Sequence, residues 1–438
     1  MRTFHQQSIS NISDFKNQLL HWSQQFREVV FMDSNSSYNR NQKYKEFDFI
    51  LAVDAFTSIK TDYSNAFADL HQYQSITKDW LFGYLSYDLK NNIEHLHSNN
   101  YDGLHFPDLF FFQPKKLFLV KGNQLEIQYL SGCDDEVDSD LEEILASCQK
   151  EHNLNTFASN SPNTVSIKQR VSKEEYLSKV TKMLTHISRG DIYEANFCIE
   201  FYAENATINP ETVYKKLNLI SEPPFAVFFK NNDHFLISAS PERYIKKDGL
   251  KVISQPIKGT ARRLFDVEQD EISRSELEND PKERSENIMI VDLVRNDLSK
   301  TATKASVNVE ELCGIYSFKQ VHQMISTVVS EIENTTAAVE VLQTTFPMGS
   351  MTGAPKISAM NIIENLEETK RGLYSGAAGY FTPDGNFDFN VVIRSILYNC
   401  DNHYLSFSVG SAITAKSNPE SEYEECLLKA KAMFEVLQ

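Results

Sequence analysis

Long apolar runs are absent from this sequence. The longest, such as those at 109–112 and 225–229, are far shorter than the roughly 20 residues that a membrane-spanning helix needs. The first residues, 1–7, also lack the apolar core of a signal peptide. From these two absences we expect a chain with no membrane segment and a cytoplasmic location.

Positive charge is scarce. The chain has 43 Lys plus Arg against 60 Asp plus Glu, which gives a formal net charge of −17. A nucleic-acid or anionic-membrane surface needs net or clustered positive charge, so this balance argues against both kinds of partner. An anionic substrate stays possible where local cations or a metal ion supply the attraction.

Paired cysteines are missing as well. The six cysteines are scattered, with no CxxC motif and no His/Cys group at zinc spacing. Free thiols in a reducing compartment are the simplest interpretation, which agrees with the expected cytoplasmic location.

What the chain does have is length and mixed patterning. At 438 residues it exceeds the usual size of one hydrophobic core, so two domains or one large composite domain are expected. The stretch 150–166, rich in Asn, Ser and Thr, predicts a linker with a boundary near 160. This divides the chain into regions 1–160 and 167–438. Strand and helix patterns mix without a βαβ rhythm, which predicts the α+β class.

Two helix starts are marked by local signals. Ser172 with Glu175 three residues later is a predicted capping box. Asp280 followed by Pro281 is typical of an N-cap and the first helical position. Each signal marks the expected first turn of a helix.

Turn residues organise the last hundred residues. Turns at 383–385 and 399–403 predict an antiparallel meander, in which 387–398 is one strand, and a last helix begins near Pro419. Arg394 lies within that apolar strand, so its charge must be paired internally or face a cavity.

A lysine stands inside the run Gln255–Thr260. The preceding residues 251–254 have strand character, Pro256 fixes φ, and Gly259 permits close approach of backbone or ligand. We therefore expect Lys258 on a stiff turn at a strand end. There it can anchor a carboxylate, form a salt bridge or, if desolvation lowers its pKa, act as a nucleophile. The alternative is a solvated lysine in a turn.

Two pairs of glutamates share helical spacing. Glu283 and Glu286 lie three residues apart on one predicted helix, and Glu422 and Glu425 repeat the spacing on the last helix. Together these carboxylates can hold a hard divalent cation such as Mg²⁺, which takes one or two carboxylates, waters and a substrate oxygen. The alternative is local, with Glu283 in a capping box and Glu422 as an acid near a helix N-terminus.

Four further residues are polar or small where a ligand would need them. Glu242 follows a strand and a proline, so it can point into a cleft as a general acid or pair with Arg243. Gly410 and Ser411 end a strand with small residues that suit close approach of a ligand. His322 is a candidate too, although a lone histidine is more often structural.

In this order, the motifs resemble those of the chorismate-utilising enzymes. The matching segments are 240–242, 255–260, 286–297, 352–356, 394 and 422–429. The resemblance is strong over roughly 170–438, while 1–160 more weakly resembles the N-terminal region of anthranilate synthase component I. It implies a large α+β fold of stacked antiparallel sheets with flanking helices, and a Mg²⁺-dependent reaction on chorismate.

The resemblance also implies a role for each matching residue. The implied metal shell is Glu283, Glu286, Glu422 and Glu425. The implied substrate contacts are Gly259, Thr260, Tyr374, Arg394, Gly410, Ser411 and Lys429. The residues implied to take part in the chemistry are Lys258, Glu242 and His322. Among these, Glu242 matches the general acid that assists departure of the C4 hydroxyl.

Three positions resemble one branch of the family. Isochorismate and salicylate synthases have a lysine base where this chain has Ala195. Anthranilate synthases typically have alanine and histidine where it has Lys258 and Asn287. The pair Lys258 and Asn287 resembles aminodeoxychorismate synthase component I, in which the lysine is thought to attack C2 of chorismate before ammonia adds at C4. The implied product is 4-amino-4-deoxychorismate, the precursor of 4-aminobenzoate and folate.

The source of ammonia and two other functions stay open. A cysteine flanked by glycines, as in a glutaminase nucleophile elbow, is missing. We therefore expect ammonia from a separate glutamine amidotransferase subunit or from free ammonium. Lys258 can also serve only to position the hydroxyl while ammonia attacks directly. Anthranilate synthesis and non-catalytic binding of chorismate are the alternative functions.

Overall fold

The computed structural model describes residues 1–35, 43–94, 96–154 and 165–438, without the side chains of 148–154. Most of the predicted linker at 150–166 lies outside the described residues. The boundary near 160 and the two regions that it separates therefore stay predictions.

The described residues form twenty strands, most of them apolar on at least one face. The strands are β1 (Arg2–Ser8), β2 (Glu28–Asp33), β3 (Phe49–Thr61), β4 (Leu81–Leu85), β5 (Leu109–Lys121), β6 (Gln124–Leu130), β7 (Lys168–Gln169), β8 (Glu194–Ala203), β9 (Phe225–Asn231), β10 (His234–Ser240), β11 (Arg243–Asp248), β12 (Lys251–Gln255), β13 (Ile257–Arg262), β14 (Asn308–Ser317), β15 (Val321–Glu331), β16 (Gly353–Ala354), β17 (Ala377–Phe381), β18 (Phe387–Val391), β19 (Ser395–Asn399) and β20 (Tyr404–Thr414).

Eleven α-helices are found in the same part of the chain. They are α1 (Ile12–Trp22), α2 (Ala66–Thr77), α3 (Lys90–Glu94), α4 (Val137–Leu154), α5 (Lys173–Arg189), α6 (Pro210–Ser221), α7 (Val267–Asn279), α8 (Pro281–Ser299), α9 (Ala338–Thr345), α10 (Lys356–Leu366) and α11 (Pro419–Leu437). Within the residues described, no helix is both long and apolar enough to span a bilayer.

All the strands belong to one hydrogen-bonded sheet with two arms. One arm runs β7–β8–β20–β19–β10–β9–β2–β3. The long strand β5 links it to the other arm, β4–β17–β18–β11–β12–β15, where β13 and β14 also pair with β15. Strands from both sides of the predicted boundary thus pair directly, as β2 does with β9 and β4 with β17.

The two arms pack face to face. The rings of Tyr84 on β4 and Phe229 on β9 meet edge to face with their centroids 5.2 Å apart. Successive side chains of a strand point to opposite faces. On β2, accordingly, Val30 joins the core between the arms while Val29 and Phe31 join a second core under the helices. The α+β class with stacked antiparallel sheets and flanking helices is confirmed.

The local signals read from the sequence mark real element ends. Ser172 and Glu175 exchange both hydrogen bonds of a capping box at the start of α5. The Asp280 carboxylate accepts from the backbone N–H groups of Lys282 and Glu283 at the start of α8. The predicted last helix begins at Pro419. These predictions are confirmed.

One strand prediction is wrong. The run 387–398 is two strands, β18 and β19, and residues 392–394 connect them. Arg394 has a left-handed backbone with φ of 52°. Apolar patterning predicted a continuous strand because it does not register a change of backbone direction.

The packing between the arms predicts that removing a ring there destabilises the protein. We expect Phe229→Ala to lower the free energy of unfolding by about 3–5 kcal/mol, since it removes a fully buried ring and leaves a cavity. Denaturant titration followed by circular dichroism measures the change. Phe265→Ala, at a fully exposed phenylalanine, is the matched control and should stay within about 0.5 kcal/mol of the wild type. Equal loss in both variants would contradict the packing described here.

Candidate active site

Lys258 is largely buried and ion-paired. It lies in β13, which begins at Ile257 directly after Pro256, so the expected turn is only the short break between β12 and β13. Its side chain is 14% exposed, and Nζ donates to Oε1 of Glu194 at 2.9 Å. This burial rules out the solvated turn lysine, and the salt bridge that was one of the alternatives is observed.

The backbone around Lys258 is held against α8. Gly259 has φ of 98°, and a Cβ atom placed there would lie 3.2 Å from Oε2 of Glu283. The Asn287 amide Nδ2 donates to the carbonyl of Lys258 and to that of Met324, each at 3.2 Å. A glycine is needed at this point because the strand passes close to α8 in a conformation that other residues rarely adopt.

Glu242 is a buried carboxyl group held by a serine. Its Oε1 accepts from the Ser350 hydroxyl at 2.7 Å. Burial raises the pKa of Glu242 to about 7, against smaller lowering effects of the Ser350 hydrogen bond and of Lys258. The alternative pairing with Arg243 is not observed, because Arg243 forms its ion pair with Asp388 at 2.9 Å. A carboxyl group with this pKa is substantially protonated at neutral pH and can donate a proton.

The four predicted metal ligands face Lys282. Burial alone would lower the pKa of Lys282, but attraction by Glu286, Glu422, Glu283 and Glu425 raises it overall. Burial has the opposite effect on the carboxyl groups. It raises the pKa of Glu283, and it raises the pKa of Glu286 to about 7. The Lys282 ammonium is 3.8 Å from Oε1 of Glu286.

These carboxylates offer oxygen ligands but no closed cage. Among the described residues, no three His, Cys, Asp or Glu side chains come close enough to hold one ion. Oε1 of Glu286 is buried and has no hydrogen-bond partner in the described part of the chain. Hard oxygen donors with a free buried oxygen suit Mg²⁺, which binds few carboxylates and keeps several waters. The donor set therefore fits Mg²⁺ held through water and substrate oxygens.

Two cations lie beside these carboxylates. The Arg394 guanidinium has no hydrogen-bond or ion-pair partner among the residues that the structure describes. Burial lowers the pKa of Arg394, while Tyr374 and Glu425 act to raise it. Lys429 Nζ donates to the carbonyl of Gly410 at 2.8 Å and lies 2.6 Å from Glu425. A partly buried guanidinium without an anion is a ready partner for a carboxylate ligand.

Three of the predicted substrate contacts, Tyr374, Gly410 and Ser411, lie around β8 and β20. A Cβ atom on Gly410 would lie 2.6 Å from the Cys198 sulfur, and Cys198 also donates to the Tyr374 hydroxyl at 3.6 Å. The Ser411 hydroxyl is 3.2 Å from that of Tyr176. Thr260 is exposed on β13. Tyr374 and Gly410 are thus brought together, Ser411 is engaged by a buried tyrosine, and Thr260 lies at the edge.

His322 has both ring nitrogens occupied. Nδ1 is 2.8 Å from the Ser317 hydroxyl and Nε2 is 3.1 Å from Oδ1 of Asp270 on α7. Its neighbour Gln323, on the opposite face of β15, pairs with Thr260. Oε1 of Gln323 is buried with no partner in the described part of the chain. The catalytic role of His322 stays a prediction, and Gln323 is an additional polar candidate.

Sequence reasoning missed two other residues of this site, Glu194, which pairs with Lys258, and Ser350, which holds Glu242. It noted Asn287 only as a branch marker, without a contact. Because successive side chains of a strand point to opposite faces, the alternation along β15 would have placed Gln323 and His322 on different faces. No local signal singles out Glu194, because one acid at a strand start is commonplace.

Comparison with known proteins identifies the family. Residues 23–435 match the family model described as chorismate binding enzyme. The chain is 33% identical over 360 residues to an anthranilate synthase component I-like protein of Synechocystis, covering 82% of this chain and 72% of the relative. It is 31% identical over 402 residues to aminodeoxychorismate synthase component 1 of Bacillus subtilis, covering 90% and 83%.

A solved structure agrees with these relatives. Anthranilate synthase component I from Streptococcus pneumoniae superposes with a TM-score of 0.75 at 25% identity, covering 90% of this chain and 93% of that one. The family match spans nearly the whole chain and includes every residue of the site described above. The chain therefore belongs to the chorismate binding enzyme family.

Proposed function

We propose that this chain is a transferase that aminates chorismate at C4. The product would be 4-amino-4-deoxychorismate, which feeds 4-aminobenzoate and folate synthesis in the cytoplasm. A glutamine amidotransferase partner would supply the ammonia, and the name component 1 of the Bacillus subtilis relative supports a second component. The observation that carries the proposal is the buried Lys258 ammonium, which acts electrostatically on the protonatable Glu242.

The residues of the site suit the successive tasks of this reaction. Arg394, with Lys429 nearby, would bind the substrate carboxylates. Glu242, with its pKa of about 7, would donate the proton with which the C4 hydroxyl departs as water. Lys258 would attack C2 and later be expelled when ammonia adds at C4.

Magnesium is part of the proposal. Glu283, Glu286, Glu422 and Glu425 would hold the ion, which when bound supplies positive charge for the carboxylates of the substrate. The buried Oε1 of Glu286, which has no hydrogen-bond partner in the described residues and lies 3.8 Å from the Lys282 ammonium, is the observation that supports this assignment.

Anthranilate synthesis is the second candidate, since the Synechocystis and Streptococcus pneumoniae relatives carry that name. A non-catalytic subunit is less well supported, because a site that only binds chorismate has no need of a buried acid poised to donate a proton.

Product analysis separates these functions. We expect the purified chain with chorismate, Mg²⁺ and ammonium at mildly alkaline pH to form aminodeoxychorismate. Lys258→Ala should lose about 10²–10⁴-fold in rate, the range typical of an activated catalytic group. Chromatography with mass detection identifies the product. Anthranilate with pyruvate release would overturn the proposal in favour of the second candidate, and bound but unchanged chorismate, with a glutaminase subunit present, would favour the third.

The pH profile tests the role of Glu242. Because the acid must be protonated, we expect kcat/KM for chorismate to fall as pH rises through about 7, with free NH₃ held constant. Ser350→Ala removes a hydrogen bond that lowers this pKa, so the fall should move to higher pH. Glu242→Gln, which cannot donate a proton, should lose activity at every pH. An unchanged profile in Ser350→Ala would argue against Glu242 as the titrating acid.

The unpaired guanidinium predicts an effect on substrate affinity. We expect Arg394→Gln to raise the Kd for chorismate about 10–100-fold, because a charge-assisted hydrogen bond contributes about 1.5–3 kcal/mol. Arg295→Gln is the control, since Arg295 forms an exposed pair with Asp292 on α8. Isothermal titration measures both affinities. Equal affinity in the two variants would show that Arg394 does not contact the substrate.

A further inference from the structure

Glu194 is the direct partner of the lysine at the centre of this site. Its side chain is only 3% exposed, and Oε1 accepts from Lys258 Nζ at 2.9 Å. Oε2 is buried and has no hydrogen-bond partner in the residues described. One oxygen thus binds the amine while the second stays free to take part in further hydrogen bonding.

The backbone of Glu194 is held on both sides. It pairs with Thr414 of β20 and with Ala354 of β16. A Cβ atom on Gly353 would lie 2.1 Å from the carbonyl oxygen of Glu194, so only glycine allows this approach. The carboxylate is therefore presented to Lys258 from a fixed strand end and not from a loop.

The charges around Lys258 keep it as an ammonium. Burial alone would lower its pKa, but the Glu194 carboxylate, 2.9 Å from Nζ, is the largest of the charges that raise it overall. Glu242 and Glu283 also interact with it electrostatically. An ammonium has no lone pair for attack, so the amine must first give up a proton. Among the described residues, Glu194 is the carboxylate hydrogen-bonded to it.

We propose that Glu194 positions Lys258 and accepts its proton when the lysine attacks the ring, which rests on the function proposed above. The proton passes from Nζ to Glu194, and the freed lone pair forms the bond to C2. Two ring double bonds shift, the C4–O bond breaks, and the oxygen leaves as water with the proton of Glu242.

The second half of the reaction returns Glu194 and Glu242 to their starting protonation states. Ammonia bonds to C4, the double bonds shift back, and the C2–N bond breaks with its electrons returning to Nζ. Lys258 regains its proton from Glu194, and the new C4 ammonium gives one proton to Glu242. Chorismate and ammonia thus yield aminodeoxychorismate and water, with no other reactant.

Glu194→Gln tests this role, because an amide oxygen still accepts from Lys258 but does not take its proton. We expect kcat to fall about 10²–10⁴-fold near neutral pH while the Kd for chorismate stays within about threefold. The proton must then leave to solvent, so kcat should rise about tenfold per pH unit below about pH 7, where Glu242 stays protonated. Glu194→Asp, which keeps a carboxylate, should recover part of the rate. Glu424→Gln, on the exposed side of α11, is the control.

The outcomes separate this role from the function on which it rests. Wild-type kcat and pH profile in Glu194→Gln, with Lys258→Ala inactive, would overturn the role of Glu194 alone. Full activity in Lys258→Ala would overturn the lysine mechanism and Glu194 with it. If Glu194→Gln does not fold, Glu194→Ala, which also lacks a carboxylate, takes its place. A raised Kd with unchanged kcat in either variant would mean that Glu194 serves only to shape the pocket.

Discussion

The ion pair between Lys258 and Glu194 is the interaction on which this site depends. Several carboxylates are buried around one lysine, and burying charges is costly unless they neutralise one another. Glu194 and Glu286 both have a buried oxygen without a hydrogen-bond partner in the described residues. The same surroundings that make Lys258 a stable cation make it a poor nucleophile until its proton is removed. The Glu194 carboxylate therefore both balances the charge of Lys258 and takes the proton that blocks its attack.

Close backbone approaches bring these charges together. Gly353 lets β16 lie against the first residue of β8, and Gly410 lets β20 pass the side of β8 that carries Cys198. Side chains at either glycine would collide with neighbouring atoms at well below 3 Å. The helices α8 and α11 then add their glutamates from outside the sheet. The site thus forms where a sheet edge, two helices and two glycine contacts meet, and not on a single loop.

Local signals predicted much of the fold. Capping residues marked the starts of α5 and α8, and turn residues marked the meander. These features depend on neighbours within a few residues. The paths of the arms, and the strand break at Arg394, depend on partners far along the chain and left no such signal. The predicted linker gives no comparison, because it lies largely outside the described residues.

The site was predictable to the extent that its residues form motifs. The sequence indicated Lys258, Glu242 and the glutamate pairs, because they stand in spaced or turn-bounded segments. It left open whether Lys258 is solvated or paired, since its partner Glu194 is 64 residues away. It favoured His322 over Gln323 by residue type alone, whereas the pairing of β15 shows that the two face opposite sides.

The two branch markers form one structural unit. The Asn287 amide donates both of its hydrogen bonds to carbonyls, one of Lys258 and one of Met324, while its oxygen accepts from Ser326. An imidazole ring cannot make this set of contacts, because each ring nitrogen carries at most one proton and it has no carbonyl oxygen. Asn287 therefore holds the backbone from which Lys258 reaches Glu194. Lys258 and Asn287 are not two independent pieces of evidence for one branch, but together they describe a strand built to present an amine to Glu194.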